Sequence, residues 1–218
     1  MSDSKEKIPP RFPAAHRLSG ALALACSLHN EQPRKGGDIP YISHLMAVSA
    51  LVMDHGGTED QAIAALLHDA IEDTEATYEL LKVAFGRTVA DIVRACSDTE
   101  EDKPDNQSEE QWWERKSKYL AEVAEKLPGD PSLLVALADK VHNAEATVAD
   151  MKTKDLDGRR AFVSQRFNAG WDCQEKWYSG LVEVFGTKVT EPAALPLVER
   201  LREARNEIFS IDRTKGTK

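Results

Sequence analysis

The sequence predicts an all-α fold, and three observations predict it. Apolar residues recur three and four positions apart in nearly every ordered stretch. Alternation with period two is almost absent and β-branched residues are never clustered, so no strand pattern competes. The 218 residues suit one domain of roughly 100–200 residues, with a core large enough to need no disulfide or structural metal.

Residues 14–28 read AAHRLSGALALACSL, an Ala/Leu-rich run long enough for a helix. Pro33, Gly36, Gly37 and Pro40 break it and shape the turn that follows. Ile42–Asp54 is apolar at helical spacing, and Gly56 and Gly57 close it as a C-cap. Thr58 stands in N-cap position with Gln61 three residues on, a capping box. The stretch after it, EDQAIAALLHDAIED, reads as one amphipathic helix. Shorter helices are predicted over 76–85 and 89–96, with Gly86 at the junction. Residues 97–110 (SDTEEDKPDNQSEE) are acidic, polar and proline-bearing, and read as a mobile solvated loop. Helix resumes over 111–126, stops at PGDP, and restarts over 132–151. Two further stretches are expected around 159–185 and over Leu195–Ile208. Residues 1–13 and 211–218 are expected to be flexible ends, leaving 14–210 as the folded domain.

Twenty-eight basic against thirty-seven acidic residues give a net charge of −9, which argues against generic binding to DNA, RNA or an anionic membrane. No apolar stretch approaches a membrane span, and the N-terminus MSDSKEKIPPRFP carries no signal-peptide pattern. Cys26, Cys96 and Cys173 are far apart and fit neither a disulfide framework nor a zinc ribbon; they suit a reducing cytosol. The expectation is a cytoplasmic protein, and a homo-oligomer is compatible with it. A local basic cluster or a bound cation can still make one pocket attractive to a small anion.

The most informative segment is His68-Asp69-Ala70-Ile71-Glu72-Asp73. In a continuous helix positions 68 and 72 share a face, as do 69 and 73. An imidazole beside a carboxylate suits a divalent metal of intermediate softness, and Glu72 with Asp73 could handle the protons of an activated water. His44 stands at the start of an apolar helix, where a lone histidine is more often a core residue than a ligand. Asp139 follows the run LLVALA and should be nearly buried; a buried carboxylate needs a cation, which Lys140 could supply, or several hydrogen bonds. Together His44, His68, Asp69 and Asp139 form a two-His, two-Asp set from three helices, leaving coordination positions open for water and substrate. His142 could act only behind such ligands. His16 and His29 on the first helix and His55 at a helix end look uninvolved.

This order of motifs resembles the HD superfamily of metal-dependent phosphohydrolases. More narrowly it is similar to the hydrolase domain of the Rel/Spo-homologue alarmone enzymes, especially the stand-alone small alarmone hydrolases. The resemblance rests on PYISHLMAV, LLHDAIEDT, ADKVHNAE, the turn PRKGG, WWERKSKYL, and RFNAG followed by KWY, and it runs from Ala14 to Phe185. It implies a helical HD fold with a metal site between helices, holding one Mn²⁺ through His44, His68, Asp69 and Asp139. The implied reaction is removal of the 3′-pyrophosphate of (p)ppGpp, giving GDP or GTP and pyrophosphate. By the same carry-over Glu72 and Asp73 orient or deprotonate the attacking water, and Asn143 contacts the ribose or the scissile phosphate. Arg34 and Lys35 would flank the base, while Lys116 and Arg166, with Arg115, would meet the remaining phosphates.

One position departs from the family: after Asn143 a basic residue is usual two positions on, whereas this chain has Glu145. Three alternatives follow. The same chemistry could act on (p)ppApp or on the 2′-phosphate of NADPH. A general HD nucleotidase or phosphodiesterase is a second, and a non-catalytic nucleotide sensor is a third. The small nucleotide is the only partner the sequence points to.

Overall fold

The computed structural model describes residues 16–35, 37–97, 108–167 and 169–210. The expected flexible ends, residues 1–13 and 211–218, and positions 98–107 of the expected acidic loop lie outside the described residues. Eleven helices occur among the described residues: α1 (His16–Leu28), α2 (Ile42–Asp54), α3 (Glu59–Leu67), α4 (Ala70–Asp73), α5 (Tyr78–Phe85), α6 (Arg87–Cys96), α7 (Glu109–Glu125), α8 (Pro131–Met151), α9 (Leu156–Arg166), α10 (Trp171–Lys188) and α11 (Leu195–Ile208). The one β feature among them is an isolated antiparallel bridge between Pro33 and Pro40, which pins the Arg34–Lys35 turn against the start of α2. All three cysteines are free. No described helix is long and apolar enough to cross a membrane.

α8 is the axis of the fold. The Asp130 carboxylate caps it by accepting from the Ser132 amide, and Pro131 starts it, where its missing N–H costs nothing. The helix packs on α2, α3, α6, α9, α10 and α11 and buries Leu133, Val135, Leu137, Ala138, Val141 and Ala144. α3 buries six residues in a row, 62–67, half of them alanines. A helix buried all round must sit between others, and α3 packs against α1, α2, α6 and α8. At Gly57 a Cβ would stand 2.3 Å from Val52 Cγ1 and 2.7 Å from the Val52 carbonyl oxygen. Only glycine closes that turn between α2 and α3.

The Thr58/Gln61 capping box is formed as expected. Three expectations need correction. First, the continuous helix through EDQAIAALLHDAIED breaks at His68–Asp69. The Ala65 carbonyl, which a continuous helix offers to the Asp69 amide, takes the His68 imidazole Nδ1 at 2.9 Å. Asp69 adopts φ −95°, ψ 0°, the sparsely populated bridge region where many active-site residues sit. Second, the stretch 159–185 is two helices: α9 ends at Arg166 and α10 begins at Trp171. Third, the acidic segment ends sooner than residue 110: Ser108 caps α7 and forms a capping box with Gln111. α5 and α6 start at Tyr78 and Arg87, set by the Thr77 cap and by Gly86 at φ +94°, a conformation that favours glycine.

Candidate metal centre and adjoining cavity

Three elements converge on one buried point. The first turn of α2 brings His44, the α3–α4 break brings His68 and Asp69, and α8 brings Asp139. His44, His68 and Asp139 are 1%, 3% and 6% exposed, and each has a ligand-type atom within 4.8 Å of the others. His44 Nε2 lies 3.1 Å from Asp139 Oδ1. His68 Nε2 lies 3.0 Å from Asp69 Oδ2 and 3.6 Å from Asp139 Oδ1. Asp69 Oδ2 is 3.9 Å from His44 Nε2, so it stands at the edge of the cluster.

His68 Nε2 is buried and has no hydrogen-bond partner, although two carboxylates stand close to it. The imidazole nitrogens and carboxylate oxygens thus crowd toward one point, as ligands around a cation do, and His68 Nε2 is left unsatisfied there. Buried polar atoms otherwise find partners, so these residues fit a divalent metal ion on the side chains alone. Two neutral imidazoles with carboxylate oxygens make an N/O donor set suited to Mn, Fe or Zn.

Charge at the cluster is strongly coupled. Burial would raise the Asp139 pKa, but Lys140 and the two imidazoles hold it well below the usual carboxylate range. Asp69 likewise resists burial and is drawn down to about 2 by His68. Burial pushes His44 down; it would do the same to His68, but the charges of Asp69 and Asp139 hold His68 well above its usual value. Without a cation Asp69, Asp139 and His68 thus stay charged, while His44 is driven toward its neutral form.

A second ring of side chains holds the first. The Tyr41 phenol donates to Asp69 Oδ2 at 2.6 Å; burial and the Asp69 charge raise its pKa far above the usual value, so it keeps its proton. Lys140 Nζ donates to Asp139 Oδ2 at 2.6 Å, and Asn143 Nδ2 donates to Asp139 Oδ1 at 2.6 Å. The expected cation for Asp139 is therefore Lys140, whose own pKa burial would lower but Asp139 and Tyr119 raise. His44 Nδ1 meets His142 Nδ1 at 2.8 Å. Burial, His44 and Arg34 push His142 down to about 4, so it is neutral at physiological pH.

The remaining predicted residues divide. A cavity of about 160 Å³ opens on the cluster, lined by Tyr41, Asp69, Glu72, Asp139, Lys140, Asn143, Trp177 and neighbours. A second of about 330 Å³ shares Glu72, Lys116, Lys140, Asn143 and Trp177 with it and extends past Lys35 and Arg115 to Trp112, Gln174 and Tyr178. Glu72 and Asn143 therefore face both. Arg34 donates to Asn143 Oδ1 at 3.1 Å, and its guanidinium lies 6.0 Å from the Tyr41 ring centroid. Lys116 Nζ sits 4.9 Å above the Trp177 ring. Lys35 lines the larger cavity from an exposed position, its pKa lowered by partial desolvation there and by Arg166. Asp73 lines neither cavity: Gln32 Nε2 donates to its Oδ2 at 2.9 Å, and burial raises its pKa. Arg166 also lines neither and pairs with Asp150. Glu145 is turned to α11, where Arg200 grips it with Nε and a terminal nitrogen, both at 2.8 Å.

Sequence reasoning missed Tyr41, Gln32, Trp177 and Gln174. Tyr41 stood in view, three residues before His44, one helical turn from it. His29 lies beyond α1, buried, with its Nδ1 2.6 Å from Gln32 Oε1 and its ring stacked on Tyr41 at 5.2 Å, so it supports the site from behind.

A family model for the HD domain matches residues 21–162. The chain is 33% identical over 147 residues to the guanosine-3′,5′-bis(diphosphate) 3′-pyrophosphohydrolase of Aquifex aeolicus, covering 66% of this chain and 20% of that protein. It is 35% identical over 129 residues to the guanosine-3′,5′-bis(diphosphate) 3′-pyrophosphohydrolase MESH1 of Danio rerio, covering 58% of this chain and 66% of that one. The first of these relatives is thus several times longer than the matched segment. The fold is similar to the solved structure of a metazoan ortholog of SpoT, with a TM-score of 0.63 and 24% identity over 86% of this chain and 94% of that one. His44, His68-Asp69 and Asp139 meet on a helical core and the HD-domain model matches residues 21–162, so this chain belongs to the HD domain family.

Proposed function

We propose that this chain, as one helical domain over residues 14–210, is a Mn²⁺-dependent 3′-pyrophosphohydrolase of nucleotide alarmones. It converts (p)ppGpp to GDP or GTP and pyrophosphate in the cytoplasm. The observation that carries the reading is the buried His44/His68/Asp139 cluster, edged by Asp69, opening on a cavity lined by Glu72, Lys116, Lys140 and Asn143. The activities for which the Aquifex and Danio relatives are named support the substrate class, and the three free cysteines support a reducing compartment.

When bound at His44, His68, Asp69 and Asp139, a divalent cation supplies Lewis-acid activation of water and neutralises charge on the phosphoryl group. The chain's own residues do the rest. Tyr41 holds the Asp69 carboxylate by its phenolic hydrogen, leaving Asp69 ionised. Glu72 faces the cavity and takes the proton of the attacking water on its carboxylate. Asp73, held by Gln32, sets the α4 turn that carries Glu72. Asn143 is fixed between Asp139 and Arg34 and orients the ribose or the scissile phosphate. Lys35, Arg115 and Lys116 furnish the cationic wall that a multiply charged nucleotide requires, with Arg34 beside the base; Arg166, paired with Asp150 outside both cavities, acts only through its charge on Lys35.

The test is pyrophosphate or phosphate release from ppGpp, ppApp and NADPH with Mn²⁺, for wild type and Asp69→Ala. Release of pyrophosphate from ppGpp that Asp69→Ala abolishes is the expected result. Preference for ppApp or NADPH would redirect the substrate, and no hydrolysis of any of the three would overturn the enzyme reading.

A further inference from the structure

His44 and His68 both turn Nε2 toward the carboxylates, yet their far nitrogens are held differently. His68 Nδ1 meets the Ala65 carbonyl oxygen at 2.9 Å. A carbonyl only accepts, so Nδ1 carries the hydrogen and the neutral ring keeps its lone pair at Nε2. His44 Nδ1 meets another imidazole nitrogen, Nδ1 of His142, at 2.8 Å, with ring centroids 4.8 Å apart. That nitrogen can donate or accept, so the contact alone dictates no tautomer.

The geometry points to His142 as the positioning residue of His44: its Nδ1 accepts the Nδ1 hydrogen of His44 and thereby holds the His44 Nε2 lone pair toward a bound divalent cation. The inference rests on the metal reading above but not on the identity of the nucleotide. Without a cation, the 3.1 Å contact of His44 Nε2 with Asp139 Oδ1 is a hydrogen bond only with the hydrogen on Nε2. Holding a cation needs that nitrogen's lone pair, so the hydrogen must sit on Nδ1, where His142 is the hydrogen-bond partner among the described residues. Loading then exchanges tautomers. A proton leaves Nε2 of His44, the hydrogen between the two Nδ1 atoms moves onto His44, and His142 gains a proton at Nε2. Both rings stay neutral and the proton count balances. His142 is only partly buried, which lets its Nε2 exchange with solvent. Carboxylates and backbone carbonyls usually fill this role behind a metal-bound histidine; here His68 has the carbonyl and His44 has an imidazole.

Two-bond ¹H–¹⁵N correlation spectra of labelled protein, metal-free and loaded with diamagnetic Zn²⁺, read the tautomers directly. Loaded protein is expected to carry Nδ1–H on His44 and Nε2–H on His142. A charged His142, or one with its hydrogen on Nδ1, overturns the inference. Calorimetry with Mn²⁺ gives the second readout. His142→Leu is expected to weaken binding by about ten- to a hundredfold, and His142→Asn, whose Oδ1 can accept near the Nδ1 position, to regain most of it. Equal affinity of wild type and His142→Leu overturns the role of His142 while leaving the metal reading intact. No binding by wild type overturns both. The wild-type spectra decide even if His142→Leu fails to fold.

Discussion

At the imidazole–carboxylate end of the site the side chains are short, buried and held by neighbours from three helices. The cationic end is made of long side chains on the turn before α2 and on α7 and α9. Asp139 alone receives hydrogen bonds from Lys140 and Asn143, both at 2.6 Å. Lys35, by contrast, is exposed, and Arg166 is committed to Asp150. The first end is a preorganised part of the core. The second depends on its ligand for its final geometry, because long side chains lose rotamer freedom only when something charged is there to hold them. Substitutions should therefore separate the two ends by kind as well as by size.

The largest effect is expected for Asp139→Ala. It leaves the half-buried Lys140 ammonium at the cavity wall without its carboxylate, and breaking a largely buried pair costs up to about 3–5 kcal/mol. Urea unfolding should show that loss, and cation binding should vanish with it. Glu72→Gln is expected to lower kcat by about 10²–10⁴-fold, the usual contribution of a general base, while Mn²⁺ affinity measured by calorimetry stays unchanged. A parallel loss of affinity would move Glu72 into the ligand set.

Removing the cation comes next. At a hundredfold excess over Kd, binding stabilises by about 2.7 kcal/mol, so chelation with EDTA should lower Tm by about 5–10 °C for a domain of this size. The pH dependence follows from His68. Its metal-free pKa is raised, so below that pKa the ring carries a proton that a cation must displace. Affinity should therefore climb by about tenfold per pH unit below it and level off above. An affinity that does not change with pH would mean that His68 is not a ligand.

The cationic end should respond most gently. Arg34→Ala and Lys116→Ala are expected to raise KM by about tenfold each, with stability changed by less than about 0.5 kcal/mol. Arg166→Ala should do less, since its guanidinium is already paired. A kcat loss in Lys116→Ala without a KM change would put that lysine on the transferring group instead.

Much of the buried end could be read from the chain. Asp139 after six apolar residues had to be buried and had to find a cation, and Lys140 stood next to it. Thr58 and Gln61 announced the start of α3, and Leu195–Ile208 showed its full extent. The break at His68–Asp69 could not be read, because both residues are compatible with helix; in the structure the His68 ring takes the Ala65 carbonyl and Tyr41, before α2, holds the Asp69 carboxylate. The fates of Glu145 and Arg166 were equally hidden. Their partners, Arg200 and Asp150, stand 55 and 16 residues away, and only the packing of α11 and α9 on α8 brings them near. Glu145 faces α11, gripped by Arg200, and leaves the cavity's charge to Lys35, Arg115 and Lys116. The net charge of −9 thus coexists with a cationic wall at one pocket.

The central claim is that one divalent cation, held where α2, the α3–α4 break and α8 meet, is required for hydrolysis. Metal-stripped protein titrated with Mn²⁺ in the presence of ppGpp tests it most directly, with pyrophosphate release and bound metal followed together. Activity that rises with occupancy and saturates at one Mn²⁺ per chain, and that is absent at every Mn²⁺ concentration in His68→Ala, is the predicted result. Undiminished hydrolysis by the stripped protein, or by His68→Ala, would contradict it.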